Sequence, residues 1–179
     1  MMPEARRQSV LDVLWRHQHE GLGLWAVLDL ARDVRIFRAL LDSRLEYRCL
    51  YSGKLSRELE MAAPQLVELL PGHRLTTRLL DEGWGQSWGI FIRIDDPTNL
   101  RHHLRKFLRV RAAGRNVLFR FYDPRVLRAF LPTCSYEQLL QVFGPIHSLV
   151  LEGPQGQSAT EFRLDGSRLV TQSTSLPAA

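Results

Sequence analysis

The sequence predicts an α/β fold: one domain in which a mixed β-sheet is flanked by short helices. Three observations carry that expectation. Of the 179 residues, 45% are hydrophobic and 24% charged, the balance of an ordinary globular chain rather than of a disordered, fibrous or membrane-embedded one. Short apolar runs rich in β-branched and aromatic residues alternate with segments of helical periodicity. Two pairs of these runs are separated only by turn residues, and hairpins set among strand–helix–strand units call for a sheet that is mixed rather than wholly parallel.

The chain opens on a helix whose Val10, Leu11 and Leu14 share a face, stopped by Gly21 and Gly23. Leu24–Leu30 reads as a strand, Asp33–Leu41 as a helix carrying Ile36, Phe37, Leu40 and Leu41, and Tyr47–Tyr51 as a strand. A short helix over Leu55–Ala62 ends before Pro64, Leu66–Leu69 is a third strand, and Arg74–Glu82 a helix closed by Gly83. Trp88–Ile94 is a strand dominated by β-branched and aromatic residues. Asp96-Pro97 pairs a capping carboxylate with proline at the first helical position and predicts a helix to about Arg109. Val110-Arg111 and Val117–Tyr122 form a hairpin around Ala112–Asn116, where Gly114 supplies a positive φ. Asp123-Pro124 repeats the cap-and-proline signal, and Ser135 with Gln138 is a capping box for the helix that follows. Ile146–Leu151 is a strand, and Glu161–Leu164 pairs with Arg168–Thr171 across Asp165-Gly166. The expected organisation is an N-terminal helix (1–23), a core (24–153), a C-terminal hairpin (154–171) and a loose tail (172–179).

Cys49 and Cys134 are the two cysteines and belong to no CxxC or CxxH cluster, which excludes structural zinc and a disulfide scaffold and reads both as small buried hydrophobes. The N-terminus has no continuous apolar stretch of the kind a secretion signal needs, and no 18-residue apolar run exists. A cytoplasmic location without membrane association is expected. The net charge is +5, yet the segment Arg93–Arg128 alone holds ten basic residues against three acidic ones, and 22 of the 24 basic residues are arginine. Arginine's planar fork suits bidentate contacts at interfaces. On the helix expected over Pro97–Arg109, Leu100, Leu104, Phe107 and Leu108 form the core stripe, while Arg101, Arg105 and Arg109 form an i, i+4 row beside His102 and Lys106. Such a row of like charges calls for an acidic counterpart on a partner.

Gly85-Gln86-Ser87-Trp88-Gly89 satisfies GxSxG, but a nucleophile elbow needs a strand before it and a helix after it, and here the order is reversed. Gly85 reads as a turn, and Trp84 and Trp88 as core aromatics. His17 and His19 project to different sides of a helix, adjacent His102 and His103 cannot share a ligand, and all four read as solvated surface histidines. Phosphate-binding fingerprints are absent. No catalytic, metal or cofactor site is expected.

The ordered strings WAVLDLARD, YRCLYSG, APQLVEL, LLDEGWGQSWGIFIR, LRHHLRKFLRVR, VLFRFYDPRVLRAFLPTC and LLQVFGPIHSLVLEG together resemble the core domain of the type VI secretion adaptors of bacteria, the Tap or Tec proteins, over about residues 24–153. The resemblance implies a non-catalytic chaperone that binds a toxic protein effector in the producing cell and helps load it onto a VgrG-type spike. Many relatives carry a helical C-terminal lobe, whereas a short segment follows Gly153 here. The motif-matching positions are Trp84, Gly85, Trp88, Arg120, Tyr122, Asp123 and Arg125. Trp84, Trp88, Arg101, Arg105, Arg109, Arg120, Tyr122 and Arg125 are the expected partner-binding residues. Three alternatives stay open: a nucleic-acid-binding protein using Arg93–Arg128, a serine hydrolase acting through Ser87, and a purely structural globular subunit.

Overall fold

Apolar side chains on both faces of its central strands decide how this chain packs. In the computed structural model, which describes residues 1–112 and 114–178, seven strands form one sheet: β1 (Gly23–Asp29), β2 (Tyr47–Cys49), β3 (Pro64–Leu69), β4 (Gly89–Ile94), β7 (Ser148–Glu152), β8 (Ser158–Asp165) and β9 (Arg168–Ser175). Their order is β2-β3-β1-β4-β7-β8-β9, and a separate hairpin joins β5 (Arg109–Ala112) to β6 (Arg115–Leu118). Leu24, Ala26 and Leu28 of β1, Val67 and Leu69 of β3, Phe91 of β4 and Val150 of β7 form one core with α1 (Glu4–Leu14), α2 (Val34–Ser43) and α4 (Arg74–Arg78). Val27, Leu66, Ile90, Ile92, Leu149 and Leu151 face the other way, into a second core with α5 (Leu100–Arg105), α6 (Pro124–Phe130) and α7 (Tyr136–Phe143). The remaining helix, α3 (Arg57–Ala62), buries none of its residues.

The expected α/β domain, with one main sheet flanked by short helices, is present. Its ladders, however, all run antiparallel among the described residues, from Leu24↔Leu69 and Leu24↔Arg93 to Ser158↔Ser175. A strand buried on both faces reads as a continuous apolar run whichever way its neighbours point, so the sequence pattern cannot report direction. Helix layers on both sides of an antiparallel sheet produce the same signal.

Local chemistry is most legible at the caps. Asp123 accepts a 2.9 Å hydrogen bond from the Arg125 backbone with Pro124 in the first turn, and Ser135 and Gln138 cap α7 reciprocally. At Asp96 the outcome differs. Its carboxylate takes the Thr98 N–H at 2.9 Å, closing a turn rather than starting a helix, and α5 spans only Leu100–Arg105. At the other end, i→i+3 bonds such as Phe107 N–H to Leu104 O tighten the chain, and Arg109 enters β5 because the hairpin claims its backbone. The expected helix to Arg109, and with it the three-arginine helical row, is therefore broken after Arg105.

Four further expectations are corrected. The tail is paired rather than loose through Ser175, where β9 satisfies the edge of β8. The helix from Arg74 changes to a wider π turn over Leu79–Gly83, where a side chain on Gly83 would lie 2.5 Å from the Trp88 ring. His103 is buried, with Nε2 2.8 Å from the Val142 carbonyl, and burial lowers its pKa. Cys49 and Cys134 are free and only half-buried. Ala113 and Ala179, within the expected 112–116 turn and at the end of the tail, lie outside the described residues.

A buried arginine ties the layers together. Arg93 of β4, 2% exposed, donates to the carbonyls of Val13 and Leu14 at the end of α1, to Ser148 Oγ of β7 (2.9 Å) and to Glu161 Oε1 of β8 (2.5 Å). Burial depresses its pKa, opposed by the Glu161 charge. Removing one partner of a buried pair strands the other charge, so Arg93→Ala is expected to cost about 3–5 kcal/mol in urea unfolding. Arg93→Met combined with Glu161→Leu should cost clearly less than the single change.

Candidate functional site

The loop after β2 leads through Leu55 into α3, α5 ends at Arg105, and the β5–β6 hairpin stands beside both. Between these elements lies an open groove of about 880 Å³. Leu55, Leu59, Leu108 and Leu118 line it together with His102, Arg105, Lys106 and Arg109. Leu59 and Leu118 are 52% and 53% exposed, so apolar surface and cations face solvent side by side. Among the described residues, no carboxylate pairs with Arg105, Lys106 or Arg109. That combination suits a protein segment with apolar anchors and acidic flanks better than a small polar molecule.

Of the expected partner-binding residues, Arg105 and Arg109 come together in this groove, from α5 and β5 respectively. Arg101 has a structural duty, its Nε donating to the Cys49 carbonyl at 2.9 Å and so fixing the end of β2 beside the groove. Arg120 is half-exposed and pairs with Asp29 of β1, which is 1% exposed. Arg125 pairs with Asp123 at 2.6 Å. Burial opposes ionisation of Asp123, but the hydrogen bonds from Arg125 hold its carboxyl below the ordinary value. Tyr122 is buried, and burial followed by Tyr51 raises its phenol pKa.

Trp84 and Trp88 lie in the core against α2 and α4, away from the groove. Trp84 Nε1 donates to the Gly156 carbonyl at 2.9 Å, and the Arg35 guanidinium sits 5.2 Å above the Trp88 ring. Their 9% and 3% exposure corrects the expectation that they bind a partner directly: a free aromatic anchor needs surface that these rings have given to the core. The glycines of GxSxG are equally occupied by folding. Gly85 adopts φ +87°, and a side chain on Gly89 would lie 2.1 Å from the Val27 carbonyl across the β1–β4 ladder.

Ser87 takes the left-handed conformation, with φ +58°. It follows the Leu79–Gly83 turn and precedes β4, the order expected from sequence. The hydroxyl is 3.3 Å from Glu152 Oε1, and the same carboxylate accepts the Ser87 N–H at 2.8 Å and the Gly85 N–H at 2.6 Å. Glu152 thus acts as the acceptor that shapes the 85–87 turn.

Sequence reasoning missed Leu55, Leu59, Val117 and Leu118. Val117 and Leu118 did carry a signal, since adjacent apolar residues in a hairpin cannot both point inward. Nothing in the string SRELEMA shows that the Leu59 side is left uncovered.

Burial raises the Glu152 pKa from 4.5, against the lowering effect of the Gly85 and Ser87 hydrogen bonds. Because the folded state holds this proton more tightly than the unfolded chain, the group favours folding most below its unfolded pKa, and that contribution is lost as pH rises through the folded one. The stability margin of the wild type over Glu152→Gln is therefore expected to shrink as pH rises from about 4 towards neutrality, as measured by urea unfolding at a series of pH values.

A family model described as a domain of unknown function (DUF4123) matches residues 24–141, more than half of the chain. No curated protein and no solved structure matches it. The matched span holds β1 to β6, both walls of the groove, and the Trp84–Trp88 turn. No helix among the described residues is long and apolar enough to cross a membrane.

Proposed function

Since the chain belongs to the DUF4123 domain family, known in type VI secretion effector adaptors, we propose that it is an adaptor that holds a toxic effector in the cytoplasm and presents it to a VgrG-type spike. The groove is the observation that carries this reading: exposed leucines flanked by unpaired cations, on the face built by α5 and the β5–β6 hairpin. An incoming segment with apolar anchors covers Leu59 and Leu118, while its carboxylates meet Arg105, Lys106 and Arg109. Opposite charge around the rim guides encounter and register, and the apolar floor supplies most of the attraction. The reading is of a binding protein rather than an enzyme. Its support is that Ser87, the one nucleophile in a motif, is 7% exposed and bonded to a carboxylate that also holds the turn.

A nucleic-acid reading draws on the same cations, but the groove is lined by one aromatic residue, Tyr51, against five leucines, where a strand of bases needs successive aromatic platforms. The two separate by salt dependence, since phosphate contacts make affinity fall steeply as salt rises.

Arg105→Glu with Arg109→Glu is expected to lower capture of the cognate effector or spike in pull-down and calorimetry by at least about tenfold. Both side chains lie off the core, so the melting temperature should stay within about 2 °C of the wild type. Leu59→Asp should produce a similar loss with a similar melt. Undiminished capture by both variants would remove the groove from the interaction. Tight binding of nucleic acid that weakens steeply with salt would replace the adaptor reading.

A further inference from the structure

His17 follows α1, Glu20 closes the short 3-10 turn Gln18–Glu20, and His147 immediately precedes β7. Folding brings these three together. The two imidazole rings lie 5.5 Å apart at an interplanar angle of 54°. His17 Nδ1 is 2.9 Å from Glu20 Oε1, and one ligand atom from each of the three residues falls within 4.8 Å of the others. Behind them, buried Glu161 places Oε1 3.7 Å from His17 Nε2, on the carboxylate that Arg93 anchors.

We propose that His17, Glu20 and His147 form a binding site for a zinc-class divalent metal ion. Two imidazole nitrogens and one carboxylate oxygen are a donor set that zinc takes, with a fourth position left to water. Calcium and magnesium prefer oxygen donors throughout and are expected to bind poorly. Tetrahedral coordination at zinc distances needs donors about 3.3 Å apart, so donors up to 4.8 Å apart must close in while His17 Nδ1 and Glu20 Oε1, 2.9 Å apart, open slightly. Glu20, 45% exposed, has the freedom to do so. The ion takes the place of the direct contact between His17 Nδ1 and Glu20, while Nε2 of the same ring faces Glu161 at 3.7 Å. That separation is longer than a hydrogen bond; closing it as the ring settles on the ion would give the carboxylate–histidine–metal arrangement in which an outer carboxylate orients a ligating imidazole.

Binding requires neutral imidazoles. The charged and titratable groups that face His147 are His17, Glu20, Arg93 and Glu161. His19, whose Nε2 is 3.6 Å from Glu20 Oε1, and Arg16, 3.4 Å from Glu161 Oε2, complete the charged surroundings. All three ligands lie outside residues 24–141, the span matched by the family model. The site therefore stands independently of the adaptor reading. Its position gives the ion a structural effect, clasping the segment after α1 to the start of β7.

The test uses the full chain, stripped of metal with a chelator that is then removed, and titrated with zinc chloride in calorimetry and with cobalt chloride in visible absorption. About one equivalent of zinc should bind in the micromolar range and raise the melting temperature by several degrees. Magnesium should do neither. His147→Ala and His17→Ala should each weaken zinc binding at least about tenfold and abolish the thermal shift. Glu20→Gln, on an exposed side chain, should weaken it several-fold even if His17→Ala folds poorly. His73→Asn, which keeps a capping acceptor at the start of α4, should bind as the wild type does. Failure to bind zinc at about 100 µM, or binding by His147→Ala within about threefold of the wild type, would overturn the proposal.

Discussion

A guanidinium buried at the middle of the fold is the constraint on which the rest of the structure depends. Arg93 sits in β4 where the strand alternation turns it towards α1, and it satisfies the last carbonyls of that helix while paired with Glu161 two strands away. An unpaired charge there carries a penalty of several kcal/mol, so the helix end, β7 and β8 must all be in place together. The pairing joins residues 13, 93, 148 and 161 and thereby fixes the N-terminal helix and the C-terminal strands against the family-matched core. It also sets the floor beneath the His17–His147 cluster, because Glu161 faces both Arg93 and His17.

The same economy of buried polar groups governs the turn before β4. Glu152, at the end of β7, receives the two N–H groups that the Gly85–Ser87 turn leaves free, and its own carbonyl receives Arg128 at 2.7 Å. With Trp84 and Trp88 packed on either side of that turn, GxSxG becomes a joint between a helix and a strand. Its glycines serve geometry, and its serine completes a carboxylate's shell.

On the opposite face the packing is deliberately incomplete. The helices α5, α6 and α7 cover the centre of the sheet, but α3 buries nothing, and the β5–β6 hairpin leaves Val117 and Leu118 outside. Isolated exposed leucines are ordinary; Leu59 and Leu118 instead share one groove with Arg105 and Arg109, with which no carboxylate pairs among the described residues. The half-buried Arg101 anchors the groove's back edge to β2, which leaves Arg105 and Arg109 free to make contacts while their scaffold stays rigid.

The sequence by itself determined the α/β class, most element positions and the caps at Asp123 and Ser135, because these depend on period, turn chemistry and side chains within four residues of each other. It also marked Arg105 and Arg109 as part of a basic segment. Tertiary structure decided the antiparallel direction of every described ladder, since two-sided burial hides strand direction from an apolar pattern. It decided that Arg109 leaves the helix, because the hairpin offered its backbone better hydrogen bonds, and that Trp84 and Trp88 are core residues rather than anchors. It alone brought Leu55, Leu59 and Leu118 to Arg105, and His17 to His147. Those neighbours come from segments far apart in the chain, and local periodicity carries no information about which distant segments a sheet order will bring side by side.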